Sequence, residues 1–162
     1  MRNPRIALGR NELAGLAFET LRCGTLAGLA MIPFAALFRV VGLRINEYGR
    51  KTLELVVGHV ASPLLHWVLT FAQHLLISWF AAFPLLWLLR QVGDRTTRVF
   101  LGAFYGAAFY VVVNSWVLPL YFGDPTPWQL GIETEYPSLV IHLVYGVVLG
   151  LAARPGAPSR EQ

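Results

Sequence analysis

Long apolar runs separated by short charged segments dominate this chain. The longest run, Pro63–Leu89, has 27 residues and contains no Asp, Glu, Lys or Arg. About 18 consecutive apolar residues are enough to propose a transmembrane helix. As a helix this run extends roughly 40 Å, which exceeds the thickness of a bilayer's hydrocarbon core. The run therefore predicts a membrane span.

The same pattern recurs three times, at residues 21–41, 99–118 and 138–153. Residues 42–62, between the first two spans, begin charged and become apolar after Leu53, which favours a short helix lying in the membrane interface. We expect one transmembrane domain at residues 1–153 and a polar cytoplasmic tail at 154–162. The predicted fold is an all-α membrane protein, a four-transmembrane-helix bundle with a short interfacial helix between spans 1 and 2.

Prolines suggest where two of these spans end or begin. Pro119 follows the third apolar run and is expected to close it, because proline has no N–H to continue a helix. Pro137 precedes the fourth run and suits the first position of a helix. The Pro-rich segment between them is expected to form a loop outside the bilayer.

Composition supports a membrane protein over a soluble one. Hydrophobic residues make up 56% of the 162 residues and charged residues only 14%, whereas soluble domains carry about 25% charged residues. The net charge of +4 is explained by basic residues flanking spans, so no nucleic-acid partner is expected. Cys23 is the one cysteine, which excludes an internal disulfide and an all-thiolate metal site.

The distribution of basic residues predicts the orientation. Cytoplasmic segments of membrane proteins carry an excess of Lys and Arg. With both termini inside, nine basic residues lie in the cytoplasm and four outside. The nine are Arg2, Arg5, Arg10, Arg22, Arg90, Arg95, Arg98, Arg154 and Arg160, and the four are Arg39, Arg44, Arg50 and Lys51. We expect a multi-pass protein with both termini cytoplasmic.

Three of the four spans carry a GxxxG pair. Small residues at this spacing allow two helix backbones to approach closely within a membrane. The pairs are Gly24 and Gly28, Gly102 and Gly106, and Gly146 and Gly150. They predict tight helix packing, within the chain or in a homo-oligomer or larger membrane complex.

A few polar residues inside the spans are the candidates for function. Ionisable groups at membrane depth are costly, and histidine can exchange a proton between about pH 5 and 8. The predicted topology brings His66, His142 and Asn114 to one outer level, with His74 near the midplane and Glu133 and Glu135 in the outer loop. These six residues are the predicted proton or small-cation site.

Other interpretations use the same histidines. They could serve only to join helices through hydrogen bonds, as in an accessory subunit. His66 and His142 could instead be the two axial ligands of a haem b in a four-helix bundle. A transition metal could be held by His59, His66 and His142, with Glu133 as a further ligand. No compact metal motif and no nucleophile motif is present, so the leading prediction has no cofactor and no enzymatic activity.

From residue 58 onward the layout resembles the YagU-type family of bacterial inner-membrane proteins. The resemblance rests on Gly58-His59, QHLLIS at 73–78, SWVLPL at 115–120 and IHLVYG at 141–146, in that order along the chain. It implies a four-span protein of the bacterial inner membrane that is associated with acid tolerance. His74 and His142 are the two candidates that lie in matching motifs. The segment around 44–54 departs from the family, which has a longer first outer loop.

Overall fold

The computed structural model describes residues 9–45 and 48–155, and within them it contains helices and no strand. Two groups of predicted residues lie outside the described ones: Arg2 and Arg5 near the N-terminus, and the predicted tail beyond 155, which includes Arg160. The elements in chain order are α1 (Arg10–Val40), α2 (Tyr48–Val57), α3 (Pro63–Leu89), α4 (Arg95–Phe109), a π-helical segment (Tyr110–Val117), α5 (Leu118–Phe122), α6 (Pro127–Leu130) and α7 (Ile132–Ala152).

Four helical stretches are long and apolar enough to cross a membrane. They are Arg10–Val40, Pro63–Leu89, Arg95–Phe122 and Glu135–Ala152. The third combines α4, the π-helical segment and α5. The prediction of an all-α membrane protein with four spanning helices is therefore confirmed, and α2 is the short helix between the first two.

Three spans differ from the predicted bounds at their ends. The first helix already begins at Arg10, where the Glu12 carboxylate accepts a 2.9 Å hydrogen bond from the Gly9 backbone N–H. Pro119 does not end the third helical stretch, which continues to Phe122. Pro137 lies inside α7 rather than at its start. Hydropathy predicts the apolar part of each helix, whereas the helix itself continues into the polar segments.

The spans alternate in direction, so the start of α1 and the end of α7 lie at one end of the bundle. The most extensive packing joins α4 to α7, while α1 lies between α3 and α7 and packs on both. Arg22 in α1 donates to the Ala152 carbonyl at the end of α7, at 2.7 Å. At the opposite end, the rings of Phe38 and Tyr136 meet edge to face, with centroids 5.8 Å apart. We call the end with Arg22 the terminal end and the other the loop end.

Glycines set the close approach of the helices. A Cβ on Gly102 would overlap the backbone of Gly146, and one on Gly150 would overlap the backbone of Arg98. Both GxxxG pairs of α4 and α7 thus face each other, with no side chain between the two backbones. Gly24 faces α3 instead, because its Cβ would lie 2.9 Å from the Trp79 ring. All six glycines of the three pairs are buried.

Tyrosine and tryptophan side chains tie α3 to its neighbours. The Tyr145 hydroxyl on α7 donates to the Ser78 carbonyl at 2.6 Å, and the Tyr105 hydroxyl on α4 donates to the Ala81 carbonyl at 2.6 Å. The indole N–H of Trp79 donates to Thr25 on α1 at 2.9 Å. Polar groups that would otherwise face lipid are satisfied between helices.

The turn between α3 and α4 is held by its own charged residues. Asp94 caps α4 by accepting a 2.6 Å hydrogen bond from the Thr97 backbone N–H. Hydrogen bonds from the side chain and backbone of Thr97 hold the pKa of Asp94 below its usual value. Arg98, buried one turn later, donates to the Gly93 carbonyl at 2.8 Å. These hydrogen bonds pair backbone N–H and C=O groups that the turn between α3 and α4 would otherwise leave without partners.

Candidate functional site

The π-helical segment Tyr110–Val117 interrupts the third span near the loop end. The Leu118 N–H bonds to the Val113 carbonyl, five residues back, rather than to the fourth residue back. Pro119 explains the wider turns, since it has no N–H and its ring would clash with the Ser115 carbonyl in an α-helix. Short π-helical stretches are rare and often occur at functional sites.

His142 on α7 faces this segment, and both of its ring nitrogens are engaged. Nδ1 lies 2.6 Å from the Ser138 carbonyl oxygen, and Nε2 lies 2.9 Å from Nδ2 of Asn114. An amide nitrogen can only donate, so Nε2 accepts and Nδ1 carries the proton. In this arrangement the imidazole is neutral.

Aromatic rings enclose the imidazole. Its centroid lies 6.1 Å from the Phe109 ring, in a stacked orientation, and 5.5 Å from the Tyr110 ring. A Cβ on Gly106 would overlap the His142 carbonyl oxygen, so the missing side chain lets α4 lie against α7 at this level. The glycine faces therefore position the histidine against the π-helical segment.

Two buried hydroxyl groups complete this site. Tyr110 is 1% exposed and Ser115 is fully buried. Among the described residues neither hydroxyl has a hydrogen-bond partner of good geometry, although the two lie within range of each other. A buried hydroxyl without a partner costs free energy, and such groups are unusual in folded proteins. We call His142, Asn114, Tyr110, Ser115 and Ser138 the His142 cluster.

His74 lies on α3, on the side that faces α1. Its Nε2 is 3.0 Å from the Gly28 carbonyl oxygen. The absence of a side chain at Gly28 permits this contact, because a Cβ there would overlap Ser78. His74 also lies close enough to His142 for the two imidazoles to interact electrostatically.

The remaining predicted site residues make no hydrogen bond to the His142 cluster within the part of the chain that the structure describes. His66 is in the first turn of α3, where its side chain makes no hydrogen bond to another described residue, and His59 is exposed in the preceding segment. Glu133 and Glu135 lie in the first turn of α7 rather than in a loop. Glu135 is within electrostatic range of Tyr110, and Glu133 is exposed.

The structure also bears on the metal and haem alternatives. Within residues 9–45 and 48–155, no three His, Cys, Asp or Glu side chains lie close enough to share a metal ion. His59, His66 and His142 are therefore not assembled as ligands. A haem iron would need the Nε2 lone pair of His142, which accepts a hydrogen bond from Asn114. His142 can serve as an axial ligand only if that bond is broken.

An ion pair at the loop end was not predicted from the sequence. Lys51 on α2 donates to both carboxylate oxygens of Asp124, at 2.6 and 2.5 Å. Its ammonium group also lies over the rings of Tyr48 and Phe122, which stack with centroids 5.8 Å apart. Burial, followed by the charge of Asp124, raises the pKa of Tyr48 to about 12. The sequence features that could have indicated this pair are Lys51, the one lysine of the chain, in the segment between the first two spans, and the acidic Asp124 in the segment between the last two.

We compared the chain with protein-family models, curated proteins and solved structures. No family model matches, and neither does a curated protein or a solved structure. The resemblance to the YagU-type family stays a prediction. Conclusions about function therefore depend on the geometry of the His142 cluster and on the membrane-spanning fold.

Proposed function

We propose that this protein binds and releases protons, or a small cation, at the His142 cluster within a bacterial inner membrane. The observation that carries the proposal is the engagement of both His142 nitrogens, beside two buried hydroxyls that have no good partner. A site that exchanges a proton or a hydrated ion needs polar groups with spare hydrogen-bonding capacity.

Asn114 gives the cluster a simple way to accept a proton. In the neutral state the Asn114 amide nitrogen donates to Nε2 of His142. Once Nε2 is protonated it becomes a donor, and rotation of the amide presents the Asn114 oxygen as acceptor. The hydrogen bond is thus kept in both states while the charge changes. The Tyr110 ring is a titratable group in contact with this imidazole, and His74 on α3 lies within electrostatic range of it. Glu135, towards the loop end, lies within electrostatic range of Tyr110.

The proposed path runs from the loop end inwards. Glu135 begins it in the first turn of α7, and Tyr110 and His142 follow at increasing depth. His74 is the next imidazole along this direction. A small cation would use the oxygen atoms of the same cluster, from the Tyr110 and Ser115 hydroxyls and the Asn114 amide.

The cellular setting is part of the proposal. The excess of basic residues at the terminal end favours a cytoplasmic position for both termini. The loop end would then face the periplasm, where external acid arrives first. The resemblance to the YagU-type family adds an association with acid tolerance, which suits a proton-responsive histidine.

A second candidate is an accessory subunit in which these polar groups only hold helices together. The contacts of His74 with the Gly28 carbonyl and of His142 with Asn114 favour it, since each joins two different helical elements. In that case His142 would contribute to stability and to nothing else.

Proton flux into reconstituted vesicles tests the proposal. Vesicles that enclose a pH-sensitive dye are exposed to an acid jump, with the membrane potential clamped to zero. We expect faster acidification with the protein than without it, and loss of the difference in His142→Gln. His59→Gln, at an exposed position, should keep the wild-type rate. Wild-type vesicles that acidify no faster than protein-free ones, or a His142→Gln variant with the wild-type rate, would contradict proton transfer.

A second measurement separates the two candidates. Thermal unfolding of His142→Gln in detergent reports the structural contribution of the imidazole. The accessory role predicts a lower unfolding temperature with no flux in the wild-type protein. The proton-handling role predicts loss of flux in a variant that remains folded.

A further inference from the structure

A cleft opens at the terminal end between α1, the end of α3 and the segment after α7. Its volume is about 290 Å³. The exposed Phe18 and the buried Leu16 and Leu86 form its apolar side, and Glu19, Arg90 and Arg154 add charged groups. The cleft thus combines an apolar surface with a charged rim, at the terminal end of the bundle.

The charge of the rim is positive. Glu19 is already paired with Arg22, whose Nη2 lies 2.6 Å and Nε 3.2 Å from the same carboxylate oxygen. Among residues 9–45 and 48–155, the one ion pair of Arg154 is a 3.7 Å contact with Glu19. Arg90 makes a long 3.5 Å hydrogen bond to the Glu12 carbonyl. Each guanidinium has five N–H donors, so most of the donors of Arg90 and Arg154 are available to a ligand.

We propose that this cleft binds the phosphate of an anionic phospholipid from the adjacent leaflet. Arginine recognises phosphate through paired hydrogen bonds and retains its charge under all physiological conditions. Basic pockets between spanning helices at the cytoplasmic side suit anionic lipid headgroups. The exposed Phe18 side chain beside the cleft contacts the glycerol and upper acyl chain of the same molecule. This site is separate from the His142 cluster and does not depend on proton transfer.

The position of the cleft favours a lipid over a free phosphate ion. A soluble anion would need only the charged rim, whereas Phe18, which lines the cleft and is 64% exposed, adds an apolar surface beside that rim. A phospholipid satisfies both parts at once. One guanidinium comes from Arg90 at the C-terminal end of α3 and the other from Arg154 in the segment after α7, so a bound headgroup also joins these two parts of the chain.

Native mass spectrometry of the purified protein with added phosphatidylglycerol or phosphatidylcholine tests the assignment. We expect one phosphatidylglycerol molecule to bind in preference to phosphatidylcholine. The double variant Arg90→Gln/Arg154→Gln should weaken phosphatidylglycerol binding by roughly fivefold for each arginine, given about 1 kcal/mol per basic group. The double variant Arg44→Gln/Arg95→Gln, with the same change in net charge at exposed positions outside the cleft, should bind as the wild type does.

Three results would overturn the proposal. They are equal binding of the two lipids, equal losses in the two double variants, and inorganic phosphate binding as tightly as phosphatidylglycerol. The last would identify the ligand as a free anion. If the Arg90 variant does not fold, Arg154→Gln alone provides the test, because the Arg154 side chain is 69% exposed and its contact with Glu19 is a long one of 3.7 Å. Arg154→Lys should then keep more of the binding than Arg154→Gln.

Discussion

The backbone of Gly102 in α4 lies directly against the backbone of Gly146 in α7. A Cβ on either residue would overlap the carbonyl oxygen of the other. The two GxxxG pairs therefore act as one contact surface rather than as two independent motifs. Because Gly106 lies against the carbonyl of His142, the same surface fixes the distance between α7 and the π-helical segment.

Substitution of Gly146 by alanine should destabilise the protein. The added methyl group has no space and must push α4 and α7 apart, at a cost of about 1–3 kcal/mol in the free energy of unfolding. Chemical unfolding in detergent measures this change. Gly49→Ala in α2 is the control, since none of the described residues would lie within 4 Å of the added Cβ beyond the glycine's own helical surroundings. A Gly146→Ala variant as stable as the wild type would contradict the close contact.

Reversal of the Lys51–Asp124 pair should be tolerated only when both charges are changed. Lys51→Glu alone places two carboxylates together, and we expect a loss of about 1 kcal/mol in the free energy of unfolding. The double variant Lys51→Glu/Asp124→Lys should recover at least half of this loss. Arg50→Glu, an exposed neighbour, serves as control. Additive losses in the double variant would show that the two side chains do not interact.

The cap of α4 should make stability depend on pH at the acid end. The pKa of Asp94 is lowered in the folded protein, so the carboxylate stabilises the fold above the pKa of the unfolded chain. That contribution is lost as the pH falls through the folded value. The difference in unfolding temperature between wild type and Asp94→Asn should therefore shrink from pH 6 to pH 2.5. A difference that does not change with pH would refute the role of the charge.

Removal of the Tyr145 hydroxyl should have a modest effect. Tyr145→Phe loses the 2.6 Å hydrogen bond to the Ser78 carbonyl, which is worth about 1 kcal/mol in the free energy of unfolding. Tyr121→Phe, at a position 64% exposed, is expected to be neutral. Equal stability of the two variants would indicate that the bond between α7 and α3 contributes nothing.

Hydropathy predicted the spans because a helix that crosses a bilayer needs apolar side chains, and the apolar content of a segment can be read from its own residues. The helix ends could not be predicted in the same way. Arg10 begins α1 and Ile132 begins α7 within polar sequence, since helices need backbone hydrogen bonds there and not apolar side chains. Pro119 was interpreted as a terminator, and the π-helical turns that accommodate it left no signal in the apolar pattern.

The candidate site was predicted only in part. The sequence singled out His142, Asn114 and His74, because polar groups at membrane depth are rare. The pairing of His142 with His66 assumed that the two lie at equal depth, but His142 is ten residues into α7 and His66 only three into α3. Tyr110 and Ser115 were missed, since a tyrosine or serine in an apolar run is common and only the fold reveals its burial.

The extensive packing of α4 on α7, with little contact between the consecutive helices α3 and α4, has a consequence for biosynthesis. A ribosome delivers α1 and α3 together early, and these two can associate at once. The third span has no α7 to pack against until the last segment leaves the translocon, and its glycine face is exposed to lipid during that time. A chain truncated before Ile132 should consequently be recognised by membrane quality control and degraded, even though its first three spans are apolar enough to insert.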